Sequence, residues 1–361
     1  MAFSTFFRRA LLYGMTNTLS QLTPRYISNN VPVPGSSQKM LNKSNNLVVD
    51  SVIYDLEDSV TPDSKDLARR LVADHLATIR LGRGPKEVAV RINAVDTGLA
   101  QQDISQVVLG GGHNLDTIVV PKVQSPEELR FVADAIRHVS PQRRLFEPPG
   151  TNSAQQTPDT IVPKPVHIIA LIESAMGLAN VLEICRVGRS LGLVGLGFAA
   201  EDFMASVGLS KLPDRREVLL ARSTIVNACR AYNLPSIIDM VSVDVSQNSN
   251  CTSLAEECNE GRCLGFTGKQ AVHPSQVDII QRAFGPSDDE IKWAVQVYVG
   301  DIESQKKGLG AWKLNGRMVD APVVKTAMAI LDRARMCGMD VDTDIASSRL
   351  EASGGRLKGL F

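Results

Sequence analysis

Two apolar runs in this chain each end in a carboxylate: His167-Ile-Ile-Ala-Leu-Ile-Glu173 and Leu193-Val-Gly-Leu-Gly-Phe-Ala-Ala-Glu-Asp202. Glu173 and Asp202 lie 29 residues apart, about the length of one strand, helix and strand. An acid is tolerated in a buried parallel strand only at its end, where ligands bind in α/β proteins. The pair is therefore a candidate ligand set for one cation. Hard oxygen donors favour Mg²⁺, with Mn²⁺ as the alternative, over zinc. Two carboxylates and several waters make a usual Mg²⁺ shell that leaves positions for substrate oxygens. The plainer reading is two surface acids at strand ends.

Other segments add groups of complementary type. Tyr54-Asp-Leu-Glu-Asp58 offers three acids, Asp55, Glu57 and Asp58, and Val90-Arg-Ile-Asn93 ends a strand in a guanidinium suited to gripping a carboxylate with two parallel hydrogen bonds. Together these groups describe a pocket for a small oxyacid chelated to a metal. Each has a simpler reading: Arg91 as the structural partner of Asp55, and Asp58 as an aid to the start of the next helix. Lys122, in Val120-Pro-Lys-Val123, has the chemistry of a Schiff-base lysine, a role that a two-carboxylate metal site does not require. His273 is a candidate general base, but reads better as a loop or ligand-contact residue.

The elements that must position these groups follow from periodicity. Short β-branched runs followed by turn signals and 3.6-period stretches predict strands near Ser51–Asp55, Glu87–Ile92, Thr117–Pro121, Val166–Ile172, Leu193–Gly197, Ser236–Val241 and Gly265–Val272. An eighth is either Arg9–Tyr13 or the few residues up to Val33. Helical stretches fall at Ser64–Leu81, Pro126–His138, Ala175–Arg189, Arg215–Tyr232 and Leu254–Leu264, and Thr61-Pro62-Asp63 reads as the capped start of the first of these. Such alternation predicts a parallel sheet covered on both faces, and eight units fit a (β/α)8 TIM barrel over residues 33–285, with residues 8–13 as the source of its first strand. The alternative is an open doubly wound sheet, but no G-x-G-x-x-G turn follows the first strand to open a helix.

After Gly285-Pro286 the pattern changes. Ser287 caps a helix whose Ile291, Ala294, Val295, Tyr298 and Ile302 share one face, Asn315-Gly316 fits a type I′ hairpin turn, and a last helix runs about Val323–Met336. Residues 286–340 thus form a small helix, hairpin and helix module, and residues 341–361 read as a frayed tail. The Pro-rich stretch Phe146–Pro165 and the segment Ser246–Asn250 read as surface excursions.

Composition excludes several classes. Lys plus Arg equals Asp plus Glu at 39 each, so no global positive field holds a nucleic-acid backbone. Six cysteines without a C-x-x-C pair, and only five histidines, argue against structural zinc or a disulfide framework and for thiols in a reducing compartment. Cys251, Cys258 and Cys263 crowd together, which leaves a redox or metal role as the alternative. No apolar run reaches the roughly 18 residues of a membrane helix. The first acid is Asp50, and the Phe-, Ser- and Thr-rich sequence before it has the composition of an organellar transit peptide, although any acid-poor N-terminus reads the same way; the expected location is mitochondrial, with a cytoplasmic one as the alternative.

Eight strings in order resemble one family: Arg8-Arg-Ala-Leu-Leu-Tyr13, Val33-Pro-Gly-Ser-Ser37, Tyr54-Asp-Leu-Glu-Asp-Ser-Val60, Val90-Arg-Ile-Asn93, Leu171-Ile-Glu-Ser174, Ala200-Glu-Asp-Phe203, Gly265-Phe-Thr-Gly-Lys-Gln-Ala-Val-His-Pro274 and Gly316-Arg-Met-Val-Asp-Ala-Pro322. They are similar to the citrate lyase β-subunit-like group of the HpcH/HpaI aldolase family. The resemblance implies a TIM barrel, Mg²⁺ on Glu173 and Asp202, and oxyacid binding by Arg91 with contacts from Asp55, Glu57 and the backbone of Ala199 and Ala200. It further implies coenzyme A held by Val33, Pro34, Gly35 and Ser36 and by Lys269, His273 and Pro274. It also implies a homotrimer in which the C-terminal module is a lid over a neighbouring subunit's site and Asp320 is the catalytic acid. The expected activity is Mg²⁺-dependent cleavage of a carbon–carbon bond in a 3-hydroxyacyl-CoA, citramalyl-CoA or malyl-CoA, with weak malate-synthase-like activity in reverse. The alternatives are a CoA-independent aldolase of the same family and an acyl-lyase subunit of a larger complex.

Two features depart from the family pattern. Ala199 stands where the family commonly has glycine. The nineteen residues Gly14–Pro32 separate the Leu-Leu-Tyr strand from Val-Pro-Gly, which the family joins directly. This polar, Pro- and Asn-rich segment is a poor barrel strand, so the expectation is that it is absent from the functional chain, as translated intron sequence or as part of a presequence ending before Val33.

Overall fold

A computed structural model describes residues 10–12, 33–45, 47, 49–79, 87–145, 164–242 and 253–354. Residues 1–9 of the transit-like segment, the insertion Gly14–Pro32, most of the Pro-rich stretch, Ser246–Asn250 and the last seven residues lie outside them. The chain divides into two compact units, Met1–Phe284 and Gly285–Phe361.

In the first unit, parallel strands β1 (Ala10–Leu12), β2 (Val33–Pro34), β3 (Ser51–Asp55), β4 (Glu87–Arg91), β5 (Thr117–Val120), β6 (His167–Ile172), β7 (Leu193–Phe198), β8 (Ser236–Asp239) and β9 (Gly268–Ala271) form one sheet. Strands β3 to β9 pair in sequence order, and β1 closes the ring by pairing with both β9 and β3. The expected barrel is present. Both candidates for its eighth strand are used: Leu12 pairs with Val52 and Val33 with Tyr54, so β1 and β2 share one lane beside β3, with Ile53 between their partners.

The strands are apolar along their length because both faces are buried, and alternation sorts their side chains between two layers. Ile53, Ala89, Val119, Ile169, Leu171 and Ile238 pack together inside the ring. The alternate set, with Val52, Val88, Val90, Ile118, Ile168 and Ile237, packs against the surrounding helices through residues such as Val72, Ile104 and Val132. The same pleat, carried on to the strand ends, points Asp55, Arg91 and Glu173 inward at one rim.

The helices are α1 (Gln38–Ser44), α2 (Lys65–Thr78), α3 (Ala100–Gly111), α4 (Pro126–Val139), α5 (Ala175–Ala179), α6 (Val181–Gly188), α7 (Ala200–Val207), α8 (Leu219–Ala231), α9 (Leu254–Leu264) and α10 (Val277–Phe284). Two details differ from the sequence reading. Thr61 opens a 3₁₀ turn, Pro62–Ser64, without a side-chain cap bond, and the α-helix begins only at Lys65. The helix expected over Ala175–Arg189 breaks at Asn180, whose side-chain amide donates to Gln124 O at 2.8 Å.

The second unit contains α11 (Asp288–Lys306), capped by Ser287 with Glu290 in a capping box, then β10 (Trp312–Leu314), β11 (Arg317–Val319), α12 (Ala321–Met336) and α13 (Val341–Gly354). Asn315 and Gly316 take φ of 49° and 80°, as a type I′ turn requires. Residues 341–354, expected to fray, are helical instead. Val341 and Ile345, one turn apart, are buried in the unit's own core with Ile291, Val295 and Leu331, which gives this stretch an apolar anchor.

Candidate active site

The rim at the C-terminal ends of the strands gathers a connected set of charges. Arg91 donates from Nε and Nη2 to the two oxygens of Asp55, 2.7 Å each, and its Nη1 lies 3.0 Å from Glu57 Oε2. Lys122 donates from Nζ to Glu57 Oε1 at 2.8 Å and from its backbone N–H to Glu173 Oε1 at 3.1 Å. Asp58 stands at the edge, 3.5 Å from Lys122 Nζ and 3.7 Å from Arg91 Nη1.

Asp55 has no exposed surface, and its oxygens accept four hydrogen bonds, from Arg91 Nε and Nη2 and from the amides of Glu57 and Ser59. A carboxylate offers about four acceptor positions, so this set saturates it. The expectation that Asp55 contacts substrate is therefore corrected: it holds Arg91, and the simpler reading of Arg91 as its partner is also met. Burial works to raise the Asp55 pKa, but the Arg91 charge and the hydrogen bonds overcome it and hold the carboxyl below its ordinary value.

Glu57 and Glu173 shift the other way. Burial is the main cause at Glu57, offset in part by Arg91 and Lys122. At Glu173 burial, reinforced by the negative charges of Glu57 and Asp202, pushes the carboxyl up to about 8. A buried carboxylate with anionic neighbours is the environment that a cation relieves, so Glu173 with Asp202 fits a hard metal ion. Among the described residues no three His, Cys, Asp or Glu side chains converge as a metal cage. A metal here draws the rest of its shell from water or substrate, as Mg²⁺ does. At Lys122 burial opposes the charge, but Glu57, Asp58 and Glu173 outweigh it and stabilise the ammonium.

The supports come from the neighbouring helices. Lys65, the first residue of α2, donates to the carbonyls of Leu56 and Glu57 at 2.8 and 2.6 Å and so fixes the acidic loop. Asp103 of α3 accepts from the backbone and side chain of Asn93 at 2.8 and 2.7 Å and from Arg69 Nε at 2.8 Å, which anchors the segment after Arg91. Gln270, inside the ring, donates to Phe198 O at 2.8 Å and so ties β9 to the end of β7. The sequence reading missed Lys65, Asp103 and Gln270. For Asp103 and Gln270 the available signal was a polar residue at an otherwise apolar position of a helix or strand pattern; Lys65, in a polar first turn, carries no such signal.

The other expected residues fall into two groups. Val33 and Pro34 pair with Tyr54 and Asp55, Gly35 donates its amide to Asp55 O at 2.9 Å, and Ser36 follows, so this loop lies on the same rim. His273 and Pro274 follow β9 there, with His273 Nδ1 accepting from the amide of Ser275. Asp202 and Ala200 lie in the first turn of α7. Lys269 is not brought to this set: the pleat turns it to the helix side, fully buried and 3.2 Å from Glu257. The Ala199 amide is spent on Ile172 O at 3.1 Å, so it does not serve as an oxyacid donor. Asp320, in the second unit, caps α12 by accepting from Val323 N at 3.3 Å. A groove of about 640 Å³ between α2 and α3, lined by Arg69, Gln102 and Leu109, belongs to the helix layer and holds no comparable cluster.

The geometry of this rim meets an independent finding. A family model described as HpcH/HpaI aldolase/citrate lyase matches residues 31–274. This chain belongs to that family. Among its HpcH/HpaI relatives, human mitochondrial citramalyl-CoA lyase is 34% identical over 301 residues, covering 82% of each chain. Citrate lyase subunit beta of Leuconostoc mesenteroides subsp. cremoris is 31% identical over 302 residues, 84% of this chain and 91% of that one. The crystal structure of CitE from Mycobacterium tuberculosis in complex with magnesium, acetoacetate and coenzyme A superposes with a TM-score of 0.62 at 26% identity, covering 92% of this chain and 98% of that one. The protein is accordingly an enzyme of the lyase class.

Proposed function

We propose that this HpcH/HpaI enzyme is a Mg²⁺-dependent lyase that splits a 3-hydroxyacyl-CoA, citramalyl-CoA or malyl-CoA, into acetyl-CoA and a 2-oxoacid. The observation that carries this reading is the inward convergence of Glu173, Glu57, Lys122 and Arg91 at the rim. It is supported by the relation to a citramalyl-CoA lyase and to a protein crystallised with magnesium and coenzyme A. Glu173 and Asp202 hold the metal, which when bound supplies Lewis-acid stabilisation of the developing charge. Arg91, fixed in plane by Asp55, orients the oxyacid carboxylate. Glu57 stands beside it, and the first turn of α7, with the amide of Ala200, supplies unpaired donors for anionic oxygen. The loop Val33–Ser36 and the His273–Pro274 segment are the proposed seat of coenzyme A.

As the carbon–carbon bond breaks the 3-hydroxyl proton is lost to solvent and the hydroxyl becomes the 2-oxo group, leaving an acetyl-CoA enolate that needs a proton at carbon. Asp320 is assigned that transfer, presented by the lid of a neighbouring subunit in a trimer. Asp320→Asn isolates the chemistry, since asparagine caps a helix as well as aspartate does. Turnover should be abolished while the Mg²⁺ affinity and α12 are retained.

The deciding experiment is release of acetyl-CoA and pyruvate from racemic citramalyl-CoA with and without Mg²⁺. Product only with Mg²⁺ supports the reading; activity on a CoA-free hydroxy-oxoacid instead makes the chain a CoA-independent aldolase. The relation to citrate lyase subunit beta favours one second reading, an acyl-lyase subunit of a larger complex, which co-purification of partner chains under mild conditions would reveal. A mitochondrial location is proposed from the relation to the mitochondrial enzyme and the acid-poor N-terminal sequence. No helix among the described residues is long and apolar enough to cross a membrane.

A further inference from the structure

Lys122 is one of four described non-glycine residues with a left-handed backbone, at φ 53°. A long, unbranched side chain at such a position is uncommon, and glycine or asparagine would adopt it with less strain. Two interactions depend on this conformation. The turn at Lys122 aims successive amides at β6, Lys122 N–H at Glu173 Oε1 (3.1 Å) and Val123 N–H at Leu171 O (3.2 Å). The side chain leaves in the other direction to reach Glu57 Oε1 at 2.8 Å, with Asp58 Oδ1 at 3.5 Å. Glu57 in turn lies 3.0 Å from Arg91 Nη1.

We propose that Lys122 is a positioning residue, holding Glu173 with its main chain and the Glu57–Arg91 pair with its ammonium, so that one residue sets the spacing between metal and oxyacid subsites. The proposal rests on the functional reading above, in which Glu173 holds the metal and Arg91 the oxyacid. No covalent step is assigned to Lys122. The ammonium engaged by two carboxylates lacks the lone pair that a Schiff base needs. Its two attachments are separable, because one is backbone and the other side chain.

The test uses the full chain and three variants, with MgCl₂ binding followed by calorimetry without substrate and steady-state kinetics on citramalyl-CoA. Lys122→Gly keeps the left-handed turn and the amide but removes the ammonium. Its Mg²⁺ dissociation constant should stay within about threefold of wild type while KM for the thioester rises about tenfold or more, the usual scale for losing a charged hydrogen bond. Lys122→Val, whose branched side chain disfavours this backbone, should weaken Mg²⁺ binding as well. Lys122→Arg, which restores a cation, should recover most of the KM.

Wild-type Mg²⁺ binding and turnover, with Lys122→Gly unchanged in KM, overturns the positioning role alone. So does Lys122→Gly losing Mg²⁺ affinity as fully as Lys122→Val. A wild-type chain that neither binds Mg²⁺ nor cleaves the thioester overturns the functional reading and this assignment with it.

Discussion

Arg91 meets Asp55 edge-on, with Nε and Nη2 each 2.7 Å from one of its oxygens, at a place where Asp55 has no solvent exposure. Removing one partner of such a pair strips the other of its main countercharge, here leaving Arg91 with Glu57 at 3.0 Å and the more distant Asp58. Asp55→Asn should therefore lose about 3–5 kcal/mol of unfolding free energy, read by urea titration. The pH dependence follows from the direction of the shift. Because the folded Asp55 pKa is lowered from 3.8, its stabilisation is complete above that value and is lost as pH falls through the folded one. The variant should lack this part of the acid unfolding limb. An Asp55→Asn chain as stable as wild type at pH 7 would contradict the assignment.

Glu173 and Asp202 should account for any stabilisation by metal. Ligands that bind only the folded state stabilise it by RT ln(1 + L/Kd), with L the free ligand concentration, and so raise the melting temperature. Thermal melts in EDTA and in MgCl₂ should differ for wild type, and the difference should vanish in Glu173→Gln and in Asp202→Asn. In EDTA, Glu173→Gln should be no less stable than wild type, since burial and the charges of Glu57 and Asp202 all oppose an ionised Glu173. A Mg²⁺-dependent rise retained in both variants would place the ion elsewhere.

Gly35 is a point of close approach. A Cβ there would lie 2.8 Å from Val72 Cγ2 and 2.9 Å from Asp55 O, both parts of the packed rim. Gly35→Ala should push the Val33–Ser37 loop away from β3 and break the Gly35 amide bond to Asp55 O. The expected result is a higher KM for the CoA thioester, by about tenfold, with kcat less affected. An unchanged KM would detach this loop from coenzyme A.

The lane shared by β1 and β2 makes a sharper prediction about residues 14–32. Only Ile53 separates the partners of Leu12 and Val33 on β3. Joining Tyr13 directly to Val33 sets Tyr13 opposite Ile53 and continues the register without moving a strand. The family match itself begins at residue 31. Deleting Gly14–Pro32 should leave lyase activity at least equal to that of the full chain and raise the melting temperature. The connection of twenty residues between β1 and β2 costs on the order of 2 kcal/mol to close. A deletion variant that fails to fold would show that the segment contributes to the barrel.

Much of this architecture is legible in the sequence, because its signals are local. Strands β3 to β9 read from apolar runs, and Asp55, Arg91 and Glu173 from charges that end them. What stayed hidden depends on direction and on distant contact. Lys269 sits in a string matched by resemblance, yet a single step of the pleat turns it away from the rim, and no string of letters marks that parity beside Gln270. Lys122 carries no sign of its left-handed backbone, since neither glycine nor asparagine occupies the position. The saturation of Asp55 needed the amides of Glu57 and Ser59, which only the folded loop aims at it. The helix Val341–Gly354 was missed because Val341 and Ile345 are only two apolar contacts in a polar stretch.

The closure of the ring also sets an order of assembly. Ala10 of β1 pairs with Lys269, 259 residues later in the chain, so β1 is synthesised long before one of its two neighbours. Pairings of such long sequence separation form late, after local strand–helix units have docked. Without β1 the other eight strands form an open sheet, and its β9 edge and the stretch of β3 that β2 leaves uncovered stay available to other chains until three residues of β1 cover them. A nascent-chain or refolding experiment should therefore find an aggregation-prone stage that ends when β1 docks.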